Sequence, residues 1–122
     1  MVHLIFCLRR LPHLTRAEFQ RYWREQHAPL VERYAEVLSV RRYVQAHTLD
    51  PAMSRAIAES RHAPDPFDGV AELWFDLDEL TARSASPAVM EAGRALLEDE
   101  RRFIDLANSP IFFADDHVVI DR

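Results

Sequence analysis

Glycine is nearly missing from this chain of 122 residues, in which only Gly69 and Gly93 occur. Two glycines that far apart can build neither a glycine-rich phosphate cradle nor a Gly-x-Ser-x-Gly nucleophile elbow. Cysteine occurs once, as Cys7, so no disulfide can close within the chain and a reducing, cytoplasmic setting is expected. Fifteen basic residues stand against twenty acids for a net charge of −5. The basic residues are interleaved with the acids, which removes the cationic stripe that phosphate backbones require, so nucleic acid is not an expected partner. The apolar run from Val2 to Leu8 has no basic stretch ahead of it, meets Arg9 and Arg10 at once and has no small-residue cleavage site behind it. It reads as neither a signal peptide nor a membrane span. None of the six histidines stands in a His-x-x-x-His spacing or beside clustered carboxylates, so no metal is expected.

What is present is ordinary globular material, 48% apolar and 29% charged, in a length that suits one domain over residues 1–122. Val2–Leu8 reads as a strand with apolar side chains in both phases, Leu4, Phe6 and Leu8 on one face and Ile5 and Cys7 on the other, so both faces need cover. Thr15 with Glu18 forms a capping box that opens a helix near Arg16. Phe19, Tyr22, Trp23, Leu30, Val31, Tyr34 and Leu38 recur at helical spacing with His27 among them. Pro29 cannot donate to the carbonyl of Glu25, and the helix should kink or restart at His27-Ala28-Pro29. Val40–Leu49 alternates as a second strand. Residues 50–68, with Pro51, Pro64 and Pro66, read as a loop with one or two helical turns from Met53 to Ser60. Val70–Asp76 is a third strand. Ser86 and Pro87 suit the cap and first position of a second long helix carrying Val89, Met90, Gly93, Leu96, Leu97, Phe103 and Ile104. Asn108, Ser109 and Pro110 stop it, and Ile111–Ile120 closes the order as a fourth strand.

Strand, helix, strand, strand, helix, strand is the split arrangement of an α+β, ferredoxin-like βαββαβ fold with a four-stranded antiparallel sheet. Both long helices would cover one face of that sheet. The other, apolar through the first strand, calls for a second copy of the chain in a two-fold homodimer.

Several segments look familiar in order and spacing: Leu8-Arg9-Arg10, Leu14-Thr15, Glu18-Phe19, Tyr22-Trp23-Arg24 and His27-Ala28-Pro29-Leu30. Arg42-Tyr43-Val44-Gln45, the run from Phe67 to Phe75, Asp99-Glu100 and Phe103-Ile104-Asp105 continue the pattern. Together they resemble the EthD family over nearly the whole chain. The resemblance implies a dimeric α+β barrel and relatives that work as cofactor-free isomerases, decarboxylases or cyclases. The family name comes from a protein encoded beside a cytochrome P450 system for ether degradation. Haem held by a single histidine is known among relatives of the barrel, and His27 or His117 would be the residue for it. The residues themselves do not favour haem, and no cofactor is expected.

His27 is the first candidate for chemistry, because a neutral imidazole among Trp23, Leu30 and Tyr34 can take or give a proton near neutral pH. The competing reading is a core histidine that bonds the carbonyl freed by Pro29. Tyr43, Gln45 and His47 share a strand face that would line the same pocket, or be merely its wetter side. Glu72 between apolar neighbours suits acid or base work, or a salt bridge to Arg42 or another strand arginine. Glu100 invites the same pair of readings and is set aside as a snorkelling rim residue. Trp23 and Trp74 would shape a cavity or fill the core. Cys7 lacks a nucleophile's surroundings and is given a lining role. Two functions follow. One is a cofactor-independent enzyme moving a proton on a small apolar carbonyl or phenolic molecule, with His27 as acid or base and Tyr43 and Glu72 assisting. The other is a non-catalytic accessory or ligand-binding dimer of an oxidative pathway.

Overall fold

The computed structural model describes residues 1–49 and 51–122. Four strands, β1 (Val2–Leu8), β2 (Val40–His47), β3 (Gly69–Phe75) and β4 (Ile111–Ala114), lie in the order β2-β3-β1-β4 with every neighbouring pair antiparallel. This is the ferredoxin-like α+β arrangement that the element order predicts. Leu4 pairs with Leu73 and Phe113, and Phe6 with Ala71 and Ile111. Because side chains alternate across the pleat, these residues share the helix-facing side with Leu8, Tyr43, Gln45 and His47. Ile5, Cys7, Val44, Val70, Glu72, Trp74 and Phe112 lie on the outer side. Buried Phe6, Leu8, Phe19, Trp23, Ala71, Phe103 and Ile104 form the core between sheet and helices.

The first helical region is three pieces: α1 (Arg16–Tyr22), a π-helical turn (Trp23–His27) and α2 (Ala28–Tyr34). Thr15 and Glu18 make the reciprocal capping bonds, 3.1 Å from the Glu18 amide to the Thr15 hydroxyl and 2.9 Å from the Thr15 amide to the Glu18 carboxylate. The interruption expected near Pro29 takes the form of the π turn, in which the Ala28 amide donates to the Trp23 carbonyl five residues back. Pro29 then sits in the first turn of α2, where its missing N–H costs nothing. The wide turn, a device common at functional sites, buries both Trp23 and His27.

Several boundaries differ from the sequence reading, among them the end of the second long helix, which stops at Glu100 before Phe103 and Ile104. The second strand ends at His47, two residues short of Leu49. Between it and β3, α3 spans Pro51–Glu59; Asp50, where the predicted loop begins, lies outside the described residues. An unanticipated helix, α4 (Leu77–Arg83), starts where the Asp76 carboxylate accepts from the Glu79 amide. The closing strand stops at Ala114 instead of reaching Ile120, because Asp116 leaves the ladder to bond His3 and Trp74. The second long helix, α5 (Pro87–Glu100), has the predicted Ser86 cap and Pro87 start and packs along the π turn and α2.

Candidate functional site

Sheet and helices do not close completely on each other. A cavity of about 290 Å³ remains between them, walled mainly by aliphatic and aromatic side chains of all four strands, α2, α4 and α5. It sits at the small end of the range for ligand pockets, roughly 300–1,000 Å³, and has room for one or two rings. Ile111 and Phe113 of the edge strand line it while staying more than half exposed. Three titratable side chains reach it: His27 from the π turn, Tyr43 from β2 and Glu100 from the end of α5.

His27 is 6% exposed. Its Nδ1 lies 2.7 Å from Oδ2 of Asp99, so the histidine does not bond the carbonyl that Pro29 frees. The other Asp99 oxygen accepts from the Tyr22 hydroxyl at 2.6 Å. A carboxylate at Nδ1 selects the tautomer protonated there and leaves the Nε2 lone pair free. Burial pulls the imidazole below its ordinary 6.5, against the opposing pull of Asp99, so the ring is neutral at pH 7. Phe103 packs against the ring at 5.1 Å between centroids.

Tyr43 is held by its neighbours on the same strand face. Its oxygen accepts from the Gln45 amide at 2.8 Å, and the same amide nitrogen donates to the Trp23 carbonyl at 3.0 Å. His47 Nε2 lies 2.8 Å from the Gln45 side-chain oxygen, and its ring stacks on Trp23 at 4.4 Å. His47 therefore stands behind Trp23 and does not line the cavity, while Trp23 does. Burial pushes the Tyr43 phenol above its usual range, the Gln45 amide and Trp23 partly offsetting it. Trp23 owes its position to Gly69: a Cβ there would meet Trp23 Cζ3 at 2.4 Å.

Glu72, Trp74 and Cys7 are not brought to this cavity. All three belong to the outer side of the sheet, the opposite phase of β1 and β3 from the one the helices cover. Glu72 lies 3.1 Å from His3 Nε2 and does not pair with Arg42, whose guanidinium instead stacks over Trp74 at 4.7 Å. Trp74 stacks on His3 at 4.0 Å and donates its indole N–H to Asp116 at 3.0 Å. Burial raises the Cys7 thiol, which keeps it protonated and unreactive.

The residue in Glu72's expected place is Glu100. It is no rim residue: burial, reinforced by the neighbouring Asp99 charge, pushes its carboxyl up to about 7. Asp99 is absent from the sequence-based candidates because nothing local marks it. It meets His27 across 72 residues, and only the apolar stripe of α5, continued to Glu100 and Phe103, hints that this end of the helix faces inward. Among the described residues no three His, Cys, Asp or Glu side chains converge as a metal site would require. No helix among them is long and apolar enough to cross a membrane.

Fold and cavity define a ferredoxin-like α+β protein with a carboxylate-paired histidine in the wall of an apolar hollow. The chain belongs to the EthD domain family, whose profile matches residues 11–107. An EthD family protein from Bacillus halodurans superposes with a TM-score of 0.59 at 18% identity, over 96% of this chain and 99% of that one. A dimeric protein of unknown function and ferredoxin-like fold from Bacteroides fragilis gives 0.55 at 9% identity, over 94% and 95%. SnoaB, a cofactor-independent oxygenase from Streptomyces nogalater, gives 0.53 at 16% identity, over 99% and 97%. Identities this low carry the fold and no more. No curated protein matches the chain.

Proposed function

We propose that this EthD protein binds a small apolar carbonyl or phenolic molecule in the cavity and acts on it by cofactor-independent proton transfer, with His27 as the acid–base group. The observation that carries the reading is the His27/Asp99 pair, an imidazole bonded at Nδ1 to a carboxylate while its side chain lines an apolar void. In the neutral tautomer Nε2 accepts a proton from the bound molecule. The imidazolium that forms is stabilised by Asp99, itself held by Tyr22. Tyr43, whose oxygen is fixed by Gln45, retains its own O–H for a carbonyl or phenolic oxygen. Trp23 supplies a flat wall for a ring. That a structural neighbour is a cofactor-independent oxygenase is consistent with small-molecule chemistry in this fold without fixing the reaction.

The assembly that goes with this reading is a two-fold homodimer, supported by the apolar outer face of Ile5, Cys7, Val44, Val70 and Phe112 and by the dimeric neighbour from Bacteroides fragilis. β-Tetralone, a two-ring ketone, tests the catalytic reading through exchange of its α-protons in heavy water, followed by NMR. Wild type accelerates the exchange and His27→Ala loses about a hundredfold or more of the acceleration. An acceleration unchanged in His27→Ala would deny His27 this role, and no acceleration by wild type would leave the non-catalytic, ligand-holding alternative.

A further inference from the structure

Glu100 has no role in the chemistry described so far. Its carboxyl lines the same cavity as His27 and Tyr43, and among the described residues it has no side-chain hydrogen bond or ion pair. No arginine lines the cavity, and the chain contains no lysine, so no cation is at hand to neutralise a carboxylate there. A carboxyl placed among hydrocarbon without a partner favours its neutral, proton-bearing form. Its position is set by one helical step. Successive residues of α5 differ by about 100° in direction, so that Asp99 meets His27 Nδ1 while Glu100 lines the hollow that His27 also lines. The ionisable groups facing Glu100 are His27 from the π turn, Tyr43 from β2 and Asp99 on its own helix. None of them donates to it.

We propose that Glu100 is the second catalytic group of this site: as a carboxylic acid it protonates the carbonyl oxygen of an uncharged, enolisable ketone while His27 Nε2 removes a proton from the adjacent carbon. The inference rests on the cavity reading above and adds to it a substrate class, since a site with a carboxyl and no cation refuses carboxylates. The step balances within the site. His27 bonds the α-proton, and the C–H electron pair becomes the carbon–carbon double bond of the enol. The carbonyl π pair moves to oxygen, which takes the Glu100 proton. An imidazolium beside Asp99 and a carboxylate at Glu100 remain. Returning the protons, to the same carbon or to one further along a conjugated chain, resets both groups without oxidant or reductant. Burial leaves the two groups in the required starting states in a shared fraction of molecules near neutral pH, His27 neutral and Glu100 protonated below about 7.

Three measurements on the full chain test the inference: β-tetralone exchange in heavy water across pH, the same exchange in Glu100→Gln and Glu100→Leu, and binding of β-tetralone against β-naphthoate, which has the same two rings with a negative charge. Glu100→Gln keeps a hydrogen-bond donor but no transferable proton. It should bind β-tetralone and exchange it about a hundredfold more slowly. Glu100→Leu removes a buried polar group, keeps the fold if the amide does not, and should be slow as well. Wild-type exchange should fall as pH rises past about 7, where Glu100 ionises, and β-naphthoate should not bind. Wild-type rates in both variants, or β-naphthoate binding as tightly as β-tetralone, would overturn the role of Glu100 while a slow His27→Ala left the cavity reading standing. Failure of wild type to bind or exchange β-tetralone would remove both.

Discussion

Replacing Glu100 by leucine should make the protein more stable, and by an amount that grows with pH. The carboxyl titrates at an ordinary 4.5 in the unfolded chain and at about 7 in the fold. Between those two values the folded state holds a proton that the unfolded state has released. Because the folded value is the raised one, the group favours folding at low pH, and that contribution is lost as pH rises from 4.5 to about 7. Each pH unit between the two values is worth about 1.4 kcal/mol, so the loss sums to about 3 kcal/mol. Leucine carries no proton and suffers none of this loss. It also places hydrocarbon against Leu96, Ile104 and the other apolar walls of the cavity.

The variant should therefore gain on wild type by about 3 kcal/mol between about pH 5 and about pH 8, on the order of 10 °C in melting temperature for a domain of this size. The assay is urea unfolding of both proteins at each pH, followed by circular dichroism at one fixed protein concentration, since dimerisation would otherwise enter the midpoint. The opposite pH trend of His27, whose value is lowered in the fold, is common to both proteins and drops out of the difference. Stability curves that run parallel across this range would show that the carboxyl is not held neutral by its surroundings, and the account of Glu100 would fall with it.

Asp99→Asn removes the charge that holds the imidazole up against burial, so His27 should titrate lower still and β-tetralone exchange should slow by about a hundredfold or more; histidine nitrogen shifts against pH are the check, and an unmoved titration would deny the pairing. Gly69→Ala drives a methyl to 2.4 Å from Trp23 and 2.8 Å from the Ala46 carbonyl, with a cost of about 1–3 kcal/mol in thermal unfolding and a weakened β-tetralone site, because Trp23 must move into the hollow. Ile5→Glu puts a charge on the outer face of the central strand, opposite Glu72 and Phe112. Sedimentation should show a folded monomer, and a dimer that survives the change would have to form through some other surface.

Much of the architecture is legible because local chemistry and long-range packing ask for the same thing. The Thr15/Glu18 box, the Ser86-Pro87 start and the two apolar phases of β1 each state their element, and the fold agrees. β4 is misread at its end because apolar residues resume at Val118 and run to Ile120, while the event that stops the strand, the diversion of Asp116 to His3 and Trp74, is a contact made across the sheet. The site divides the same way. Helical phase finds His27, since burial of one face of α1, the π turn and α2 is a local property. Strand phase tells which residues travel together but not which side they take. In β3 both phases are largely apolar, Val70 and Trp74 in one, Ala71, Leu73 and Phe75 in the other, so only the register with β1 assigns Glu72 and Trp74 to the outer side, away from the helices.

That same two-sided character separates the two things the sheet does. Leu4, Phe6, Ala71 and Leu73 wall the cavity, and the residues between them, Ile5, Val70 and Glu72, face the other way. A substitution at Ile5 therefore reaches His27 only through the backbone of β1, whereas one at Phe6 enlarges the hollow directly. If the outer face serves assembly and the inner one chemistry, Ile5→Glu should convert dimer to monomer while β-tetralone exchange per chain stays near the wild-type rate. Phe6→Ala should do the reverse, keeping the dimer while costing about 3–5 kcal/mol of stability and loosening the grip on a small ring. Loss of exchange in the monomeric variant would mean that the catalytic hollow needs the second copy to hold its shape, and the two faces would then have to be treated as one site.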